Sequence, residues 1–441
     1  MRIARYKNKK RVSNTAAADK TAATFTVIEL TEYRKRIFLG NYIIRNSSPE
    51  KNKNGRQLII SNINGKKAPL GKTKTEGAYG NAEGMKKGNA TEIVDVRKRD
   101  PSYRYGIAKA AKLIQKGRVL VFPTETVYGL GANAFDSNAV KRIYQIKNRA
   151  LDNPLIVHVN SIEMARSLVT EFNEDAQKLA SVFWPGPLTL VLPKSISIPD
   201  EVTARLDTVA IRWPSDKVAL DLISAAGVPI AAPSANMSGR PSVTRAAHAF
   251  EELKGKVKLI LDGGMSKIGI ESTVISLVHS TPIILREGKI SSEQIEDILH
   301  KKVEKCKEHC DKPMSPGMKY THYSPDAKIY VAKRNDGRLR AIYSMMCCGE
   351  KLKENKKSVI FVFSSEIPKS MSKRISEIGK VICFKTQEKM AHEIFDIFRK
   401  ADSEKTHAII IEGVPEHGLG SAIMDRLMKA ADEEIKTDII V

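Results

Sequence analysis

The sequence predicts an α/β protein in two parts: a larger domain around a buried, mixed sheet, then a smaller domain with an open parallel sheet of Rossmann-like type. Three observations carry this. Short apolar runs ended by proline or glycine recur from residue 118, helical patterns lie between several of them, and beyond residue 328 strands and helices alternate in a simple order. With 441 residues, 42% hydrophobic and 28% charged, the chain can bury more than one core.

Residues 1–90 carry two short apolar runs, TFTVIEL and QLIISNI, amid Asn, Lys, Gly and Thr, and are expected to form a basic, disordered or poorly ordered extension. The first eighteen residues are basic and free of acids, as in a mitochondrial presequence. A solvated tail, or a start placed too early with Met85 as an internal start, fits better because basic tails are common.

From Thr91 the texture changes. Tyr105–Lys116 places Ile107, Ala111, Leu113 and Ile114 at helical spacing and stops at Gly117. RVLVFP (118–123) reads as a buried strand closed by proline, and a second helix begins near Ser137 with Val140, Ile143 and Tyr144 on one face. Strands are expected at PLIVHV (154–159), LTLVLP (188–193), VAIRWP (209–214), PIAAPSAN (229–236), KLILDGG (258–264), STVISLV (272–278) and IILREG (283–288). A charged helix after Ile298 leads out of this domain, 91–305, into a linker, 306–327, rich in Pro, Gly, Tyr and His. In the last domain, 328–441, KIYVAK, SVIFVF, VICFK and HAIIIEGV read as strands, with AHEIFDIFRKAD and SAIMDRLMKAADEEI as helices. No glycine-rich dinucleotide fingerprint follows its first strand, so a NAD site is not expected there.

Composition narrows the function classes. No stretch approaches eighteen uninterrupted apolar residues, so no membrane partner is expected. Cys306, Cys310, Cys347, Cys348 and Cys383 are odd in number and irregular in spacing, which suits neither a disulfide framework nor a zinc site and points to a reducing, cytoplasmic compartment. Cys306 and Cys310, four apart, read as structural residues at a helix end. The formal net charge of +23 invites a nucleic-acid reading, but residues 1–84 hold about half of it, and the remainder suits an enzyme that binds polyphosphate.

The candidate site residues sit at strand ends. RVLVFP runs into Thr124-Glu125-Thr126-Val127-Tyr128-Gly129-Leu130-Gly131, where hydroxyls, a carboxylate and glycines occupy the position at which α/β folds place ligands; an ordinary glycine turn is the competing reading. Lys147 and Arg149 stand at a helix end, either as simple dipole caps or as a grip on a triphosphate. Arg212 lies inside an apolar strand, and its guanidinium needs an anionic partner, distant protein or a ligand carboxylate, because no acid is beside it in sequence. Arg286 repeats the pattern with Glu287 as a possible counter-ion, and His158 on its strand is a hydrogen-bonded core residue or a ligand contact. Ser234, Asn236, Ser238 and Ser242 form a polar loop suited to phosphate or ribose oxygens. There is no P-loop, no Ser-His-Asp order, no zincin motif and no metal site, which leaves a cationic, hydroxyl-lined pocket without an obvious protein nucleophile.

In this order FPTETVYGLGANA, KNRALDNPLIVHV, WPGPLTLVL, VAIRWP, APSANMSGRPSVT, ESTV and LREG resemble the YrdC-like threonylcarbamoyl-AMP synthase family, and SPGMKYTHYSP with the α/β segment after it resembles that family's long, two-domain form. The resemblance covers roughly residues 91–441. It implies a YrdC-like twisted mixed-sheet domain with a deep basic cavity, plus a smaller C-terminal Rossmann-like domain. It also implies roles: Lys147 and Arg149 as the basic catalytic pair; Thr126, His158, Arg212, Ser272 and the Ala232 backbone for L-threonine; Arg149, Asn153, Thr208, Ser234, Ser242, Arg286 and Tyr323 for ATP. The implied reaction joins L-threonine, bicarbonate and ATP, with Mg²⁺ on the triphosphate, into threonylcarbamoyl-AMP and pyrophosphate. A downstream threonylcarbamoyl transferase complex would use the product to modify the tRNA adenosine next to the anticodon. Two other readings stand beside it. One is a tRNA or double-stranded RNA binder using the basic surface, for which 6% aromatic residues supply few stacking platforms. The other is a carbamoyltransferase module like those of hydrogenase maturation proteins.

Overall fold

The computed structural model describes residues 90–306 and 323–436, together with the backbone of three short antiparallel strands, 38–39, 42–44 and 60–62. The rest of the 1–90 extension, most of the linker and Cys310 lie outside the described residues. Residues 84–441 form one unit.

The chain enters at β1 (Glu92–Asp95), and Asp100 caps α1 (Pro101–Gln115) by accepting from the Tyr103 amide, with proline in the first turn. There follow β2 (Leu120–Phe122), β3 (Gly129–Asn133), α2 (Ser137–Lys147) and β4 (Ile156–His158). Next come α3 (Ile162–Ser167), α4 (Glu174–Phe183), β5 (Leu188–Pro193), α5 (Asp200–Thr203) and β6 (Thr208–Arg212). The domain continues through α6 (Lys217–Ala226), β7 (Ile230–Ala232), α7 (Ala246–Leu253), β8 (Leu259–Asp262), β9 (Thr273–Ser276) and β10 (Ile283–Arg286). It ends with α8 (Ser292–Leu299), opened by a Ser291–Gln294 capping box, and β11 (Glu304–Lys305). The strands form one sheet in the order β11-β10-β9-β5-β6-β4-β7-β3-β2-β8-β1. It is mixed: β4 runs parallel to β6, whereas β7 is antiparallel to both β4 and β3.

Alternation along the strands decides what each face does. Val121, Leu130, Val157, Leu190, Ile211 and Ile275 join one core under the helices on that face. The opposite face is covered by α1 and α6 only over Leu120, Phe122, Ile230, Leu259 and Leu261. Beyond them the same face carries His158 and Arg212, aligned across β4 and β6, above a small cluster of Ile156, Val191, Ala210, Val274 and Leu285. That uncovered half of one face is where a cavity can form.

Three elements differ from the sequence reading. GLGAN is a strand, not a turn, because its glycines let it pack flat: a Cβ at Gly131 would lie 2.6 Å from Phe122 Cε1 and 2.8 Å from Ile230 Cγ2. No charged helix extends past Ile298, since His300 ends α8 in the left-handed conformation and Cys306 follows β11 rather than closing a helix. The last helix stops at Ala430, and Glu433–Glu434 pairs with Tyr330 and Val331 instead.

The C-terminal elements are β12 (Lys328–Ala332), α9 (Arg338–Glu354), β13 (Val359–Phe363), α10 (Lys369–Ile378), β14 (Lys380–Cys383), α11 (Gln387–Ser403), β15 (Ala408–Glu412), α12 (Leu419–Ala430) and β16 (Glu433–Glu434). All pairs are parallel, in the order β14-β13-β15-β12-β16. This domain's core takes in Ile270 from the first domain and Tyr323 from the linker. Ion pairs tie the two parts together: Arg399 to Glu252 at 2.6 Å, Arg240 to Asp402 at 2.8 Å, Arg245 to Asp396 at 2.9 Å and Arg426 to Glu271 at 3.0 Å.

Gly269 is the tightest point of this junction. Its φ of +89° is in the left-handed region, and an added Cβ would lie 2.4 Å from His392 Cα on α11. Gly227, at φ +68°, has nothing within 4 Å of the same atom. Gly227→Ala is therefore expected to cost about 1 kcal/mol from backbone strain alone. Gly269→Ala is expected to cost about 2–4 kcal/mol, because overpacking adds to the strain. Denaturant midpoints of the two variants check this; equal losses would contradict it.

Candidate active site

The uncovered sheet face becomes the floor of a concave cavity, partly open to solvent. A concavity with several convergent polar groups is the usual form of a small-molecule site. Each wall has a local cause. The turn between β2 and β3 supplies Thr124 and Thr126, knotted by a 2.9 Å contact between their hydroxyls and by the Thr124 hydroxyl donating to the Val127 carbonyl at 2.6 Å. At the end of α2, Asn148 takes the left-handed conformation, φ 51°, and lets Lys147 and Arg149 both reach the wall. A bulge between β9 and β10 sets Val274 opposite Arg286 while Ile275 stays opposite Ile284, which re-aims Arg286 toward the cavity. The loop after β7 brings Ala232, Ser234, Asn236, Ser238 and Ser242, and Tyr323 closes the side nearest the C-terminal domain.

Of the sequence-predicted residues, Thr126, Lys147, Arg149, His158, Arg212, Ala232, Ser234, Ser242, Ser272, Arg286 and Tyr323 all line this one cavity. Two do not. Asn153 is buried behind the wall, where its side-chain and main-chain oxygens accept from the Arg149 guanidinium. Thr208 opens β6, four residues before Arg212 and hence about 13 Å from it, paired with Pro193 and away from the cavity wall. Thr124, Asn236, Ser238 and Glu271 are on the wall as well. Of these only Glu271 was not singled out in the sequence; its signal was a lone acid in the apolar run GIESTVIS.

The partner of Arg212 is protein. Its Nη2 lies 2.7 Å from Glu125 Oε1, its Nη1 donates to Thr126 Oγ1 at 2.8 Å, and its Nε donates to the Gly186 carbonyl at 3.3 Å. Of the two partners left open for this buried charge, distant protein or a ligand carboxylate, the fold supplies the first: Glu125 compensates it. A guanidinium has five donors, and the hydrogen bonds to Thr126 and Gly186 use two of them, which leaves donors for a carboxylate. Glu287 likewise is not the counter-ion of Arg286; it pairs with Lys305 at 2.8 Å, and Arg286 Nε donates to the Ser272 carbonyl at 3.0 Å.

Burial sets the electrostatics. It holds the Lys147 ammonium well below the ordinary lysine range, with Arg149 adding repulsion, while its Nζ donates hydrogen bonds to the carbonyls of Ser234 and Asn236. It also pushes Arg149 down to about 10. Burial lowers His158 to about 3, helped by Arg212, so the ring is neutral and its Nδ1 lies 3.3 Å from the Ile230 carbonyl. Burial alone would raise the Glu125 carboxyl, but Arg212 more than offsets it. The wall therefore presents the cations Lys147, Arg149, Arg212 and Arg286 against the single carboxylate Glu271, an arrangement for anionic ligands.

Comparisons with known proteins agree with this class of site. A family model described as "Telomere recombination" matches residues 112–288, and one described as "Threonylcarbamoyl-AMP synthase, C-terminal domain" matches 290–432. A threonylcarbamoyl-AMP synthase of Pyrococcus abyssi is 43% identical over 350 residues, 78% of this chain and 99% of that protein. One from Bacillus subtilis is 44% identical over 332 residues, covering 74% and 92% respectively. The crystal structure of P. abyssi Sua5 complexed with L-threonine superposes with a TM-score of 0.72 at 42% identity, covering 78% of this chain and all of that one. The fold is that of a two-domain YrdC-like nucleotidyltransferase. The chain belongs to the threonylcarbamoyl-AMP synthase family.

The neutral His158 gives a pH prediction. Its folded value lies below the ordinary value of about 6.5, so protons favour the unfolded chain, and the stability of the neutral, buried ring is lost as pH falls from about 6.5 toward about 3. At pH 5.5 the loss from this residue is about 1.4 kcal/mol relative to pH 8, and it is absent in His158→Gln. Histidine NMR checks the cause directly: the His158 ring should show no titration between pH 8 and 5, and a midpoint near 6.5 would contradict the assignment.

Proposed function

We propose that the chain makes threonylcarbamoyl-AMP from L-threonine, bicarbonate and ATP. One observation carries the reading: a single cavity gathers Arg212, Thr126, His158 and Ser272 with Lys147, Arg149 and Arg286, and the one carboxylate on its wall, Glu271 beside the Ser242 hydroxyl, is already paired with Arg426 rather than free to act as a base. Such a pocket positions anions and leaves the nucleophile to a substrate.

Arg212 and the hydroxyls around it hold the threonine carboxylate, leaving the amine free. The amine captures carbon dioxide derived from bicarbonate, with loss of water, to give N-carboxythreonine. Its new carboxylate oxygen attacks the α-phosphorus of ATP, and the bond to the bridging oxygen breaks as pyrophosphate leaves. Both reactants are anionic, so this chain's contribution is to hold them together and to aim Lys147, Arg149 and Arg286 at the phosphates. Buried ammonium and guanidinium groups act there in a low dielectric, where charge is least screened. Mg²⁺ enters on the triphosphate: the one carboxylate on the wall, Glu271, is already held by Ser242 and Arg426, and no group of three His, Cys, Asp or Glu suited to a metal occurs among the described residues. The product goes to a transferase that modifies the tRNA adenosine next to the anticodon, a step we propose from the family alone. Among the described residues no helix is long and apolar enough to cross a membrane, and we place the reaction in the cytoplasm.

The test incubates the protein with ATP, bicarbonate and labelled threonine and follows pyrophosphate. Release should require threonine and bicarbonate and yield a threonine-bearing adenylate; release indifferent to threonine would reject the reading. Arg212→Ala should raise the threonine KM about 30- to 150-fold, as expected for losing a charge-assisted hydrogen bond of about 2–3 kcal/mol, with a smaller effect on the ATP KM.

A further inference from the structure

Glu271 is an anomaly for a cavity that takes a polyanion. It is the one carboxylate on the wall, it is buried, and it stands at the Arg286 end, where the proposed reading puts the nucleotide. An unpaired carboxylate there would repel phosphate and would itself be costly to bury. Two contacts resolve this. On the cavity side the Ser242 hydroxyl donates to Glu271 Oε1. On the far side Arg426 Nε donates to Glu271 Oε2 at 3.0 Å. Arg426 belongs to α12 of the C-terminal domain, 155 residues away in sequence, and its side chain is 0% exposed. It is itself fixed by the Glu287 carbonyl at 2.5 Å and Asp425 at 2.8 Å, and its guanidinium lies 5.8 Å from the centre of the Tyr323 ring. Tyr323 in turn stacks on Phe395 of α11, ring centres 5.2 Å apart.

We propose that Arg426 and Glu271 are positioning residues for the nucleotide: Arg426, supplied by the C-terminal domain, neutralises Glu271 so that this carboxylate can orient the Ser242 hydroxyl without repelling the triphosphate. The inference rests on the reading above and assigns the C-terminal domain a task within it. That domain completes from behind the electrostatics of a pocket lined by the first domain and by Tyr323 of the linker. Burial would push the Glu271 carboxyl up, but Arg426, then Arg286 and the Ser242 hydrogen bond, outweigh it, so the group is charged and the compensation is needed.

The experiment uses the full chain and four forms: wild type, Arg426→Met, Glu271→Gln and the double variant. Calorimetry gives the Kd of a β,γ-imido ATP analogue, and pyrophosphate release gives the threonine KM. Arg426→Met should weaken analogue binding by about 10-fold or more, through a like charge left beside the phosphates, with the threonine KM changed by less than about 3-fold. Glu271→Gln should bind the analogue as well as wild type or better, since Gln still accepts from Ser242. The double variant should return to within about 3-fold of wild type, because the charge to be neutralised is gone. A purely structural pair predicts otherwise: the melting temperature and active fraction fall in Arg426→Met and recover in the double variant, while the analogue Kd of the folded protein stays within about 2-fold of wild type throughout. The proposal is overturned if Arg426→Met leaves the analogue Kd within about 2-fold, if the threonine KM rises equally, or if the double variant does not recover. Should Arg426→Met fail to fold, Glu271→Gln and the double variant decide: analogue binding weakened about 10-fold in either overturns it. A wild-type protein that releases no threonine-dependent pyrophosphate would remove the functional reading instead, and the analogue affinities would still decide the charge effect.

Discussion

Burying several cations around one small space is the constraint on which the rest of this molecule depends. Lys147, Arg212 and Arg286 are each less than a tenth exposed, and Arg149 stands beside them half-buried. Isolated charges at such depth are untenable. Each is therefore held from behind: Lys147 by the carbonyls of Ser234 and Asn236, Arg149 by Asn153 and the Pro154 carbonyl, Arg212 by Glu125, Arg286 by the backbone of Ser272. Most of these supports are neutral carbonyls, which satisfy hydrogen bonds without cancelling charge. The cavity consequently keeps a positive interior that only an anion can answer.

The supports also explain the architecture around the site. The loop 268–271 holds the Thr124–Tyr128 turn through amides of Ile268 and Gly269 donating to the carbonyls of Glu125 and Thr126, at 2.8 and 3.1 Å. The same loop is pressed against α11, and Arg399 of that helix donates to the Pro241 carbonyl just before Ser242. The C-terminal domain thus braces both the turn that faces threonine in the proposed reading and the loop that faces the nucleotide. Among the ion pairs joining the two parts, Arg245–Asp396 is exposed enough to contribute little, whereas Arg399–Glu252 and Arg426–Glu271 are buried, where loss of one partner costs about 3–5 kcal/mol.

Much of this was legible in the sequence because it is local. Apolar runs such as RVLVFP and LTLVLP are buried strands whatever they pair with, and strand-end polar residues such as Thr126, His158 and Arg212 stand out against their neighbours. What was not legible depends on partners distant in the chain. GLGAN reads as a turn until Phe122 and Ile230 are seen pressed against its glycines. Arg212 reads as needing an anion, from distant protein or from a ligand, until the fold brings Glu125 to it. The bulge that aims Arg286 exists only in the pairing of β9 with β10, and the place of Thr208, at the opposite end of its strand from Arg212, shows only in the pairing with Pro193. Glu271 and Arg426 each look ordinary alone; only their contact gives either a meaning.

The central claim is that one cavity holds an amino acid and a nucleotide side by side. A crystal structure of the protein with L-threonine and a β,γ-imido ATP analogue tests it most directly. The account predicts both molecules in that space, the threonine carboxylate on Arg212 and Thr126, its amine turned toward the α-phosphate, and the phosphates among Lys147, Arg149 and Arg286. Either molecule bound elsewhere, or a threonine whose carboxylate faces away from Arg212, would contradict it.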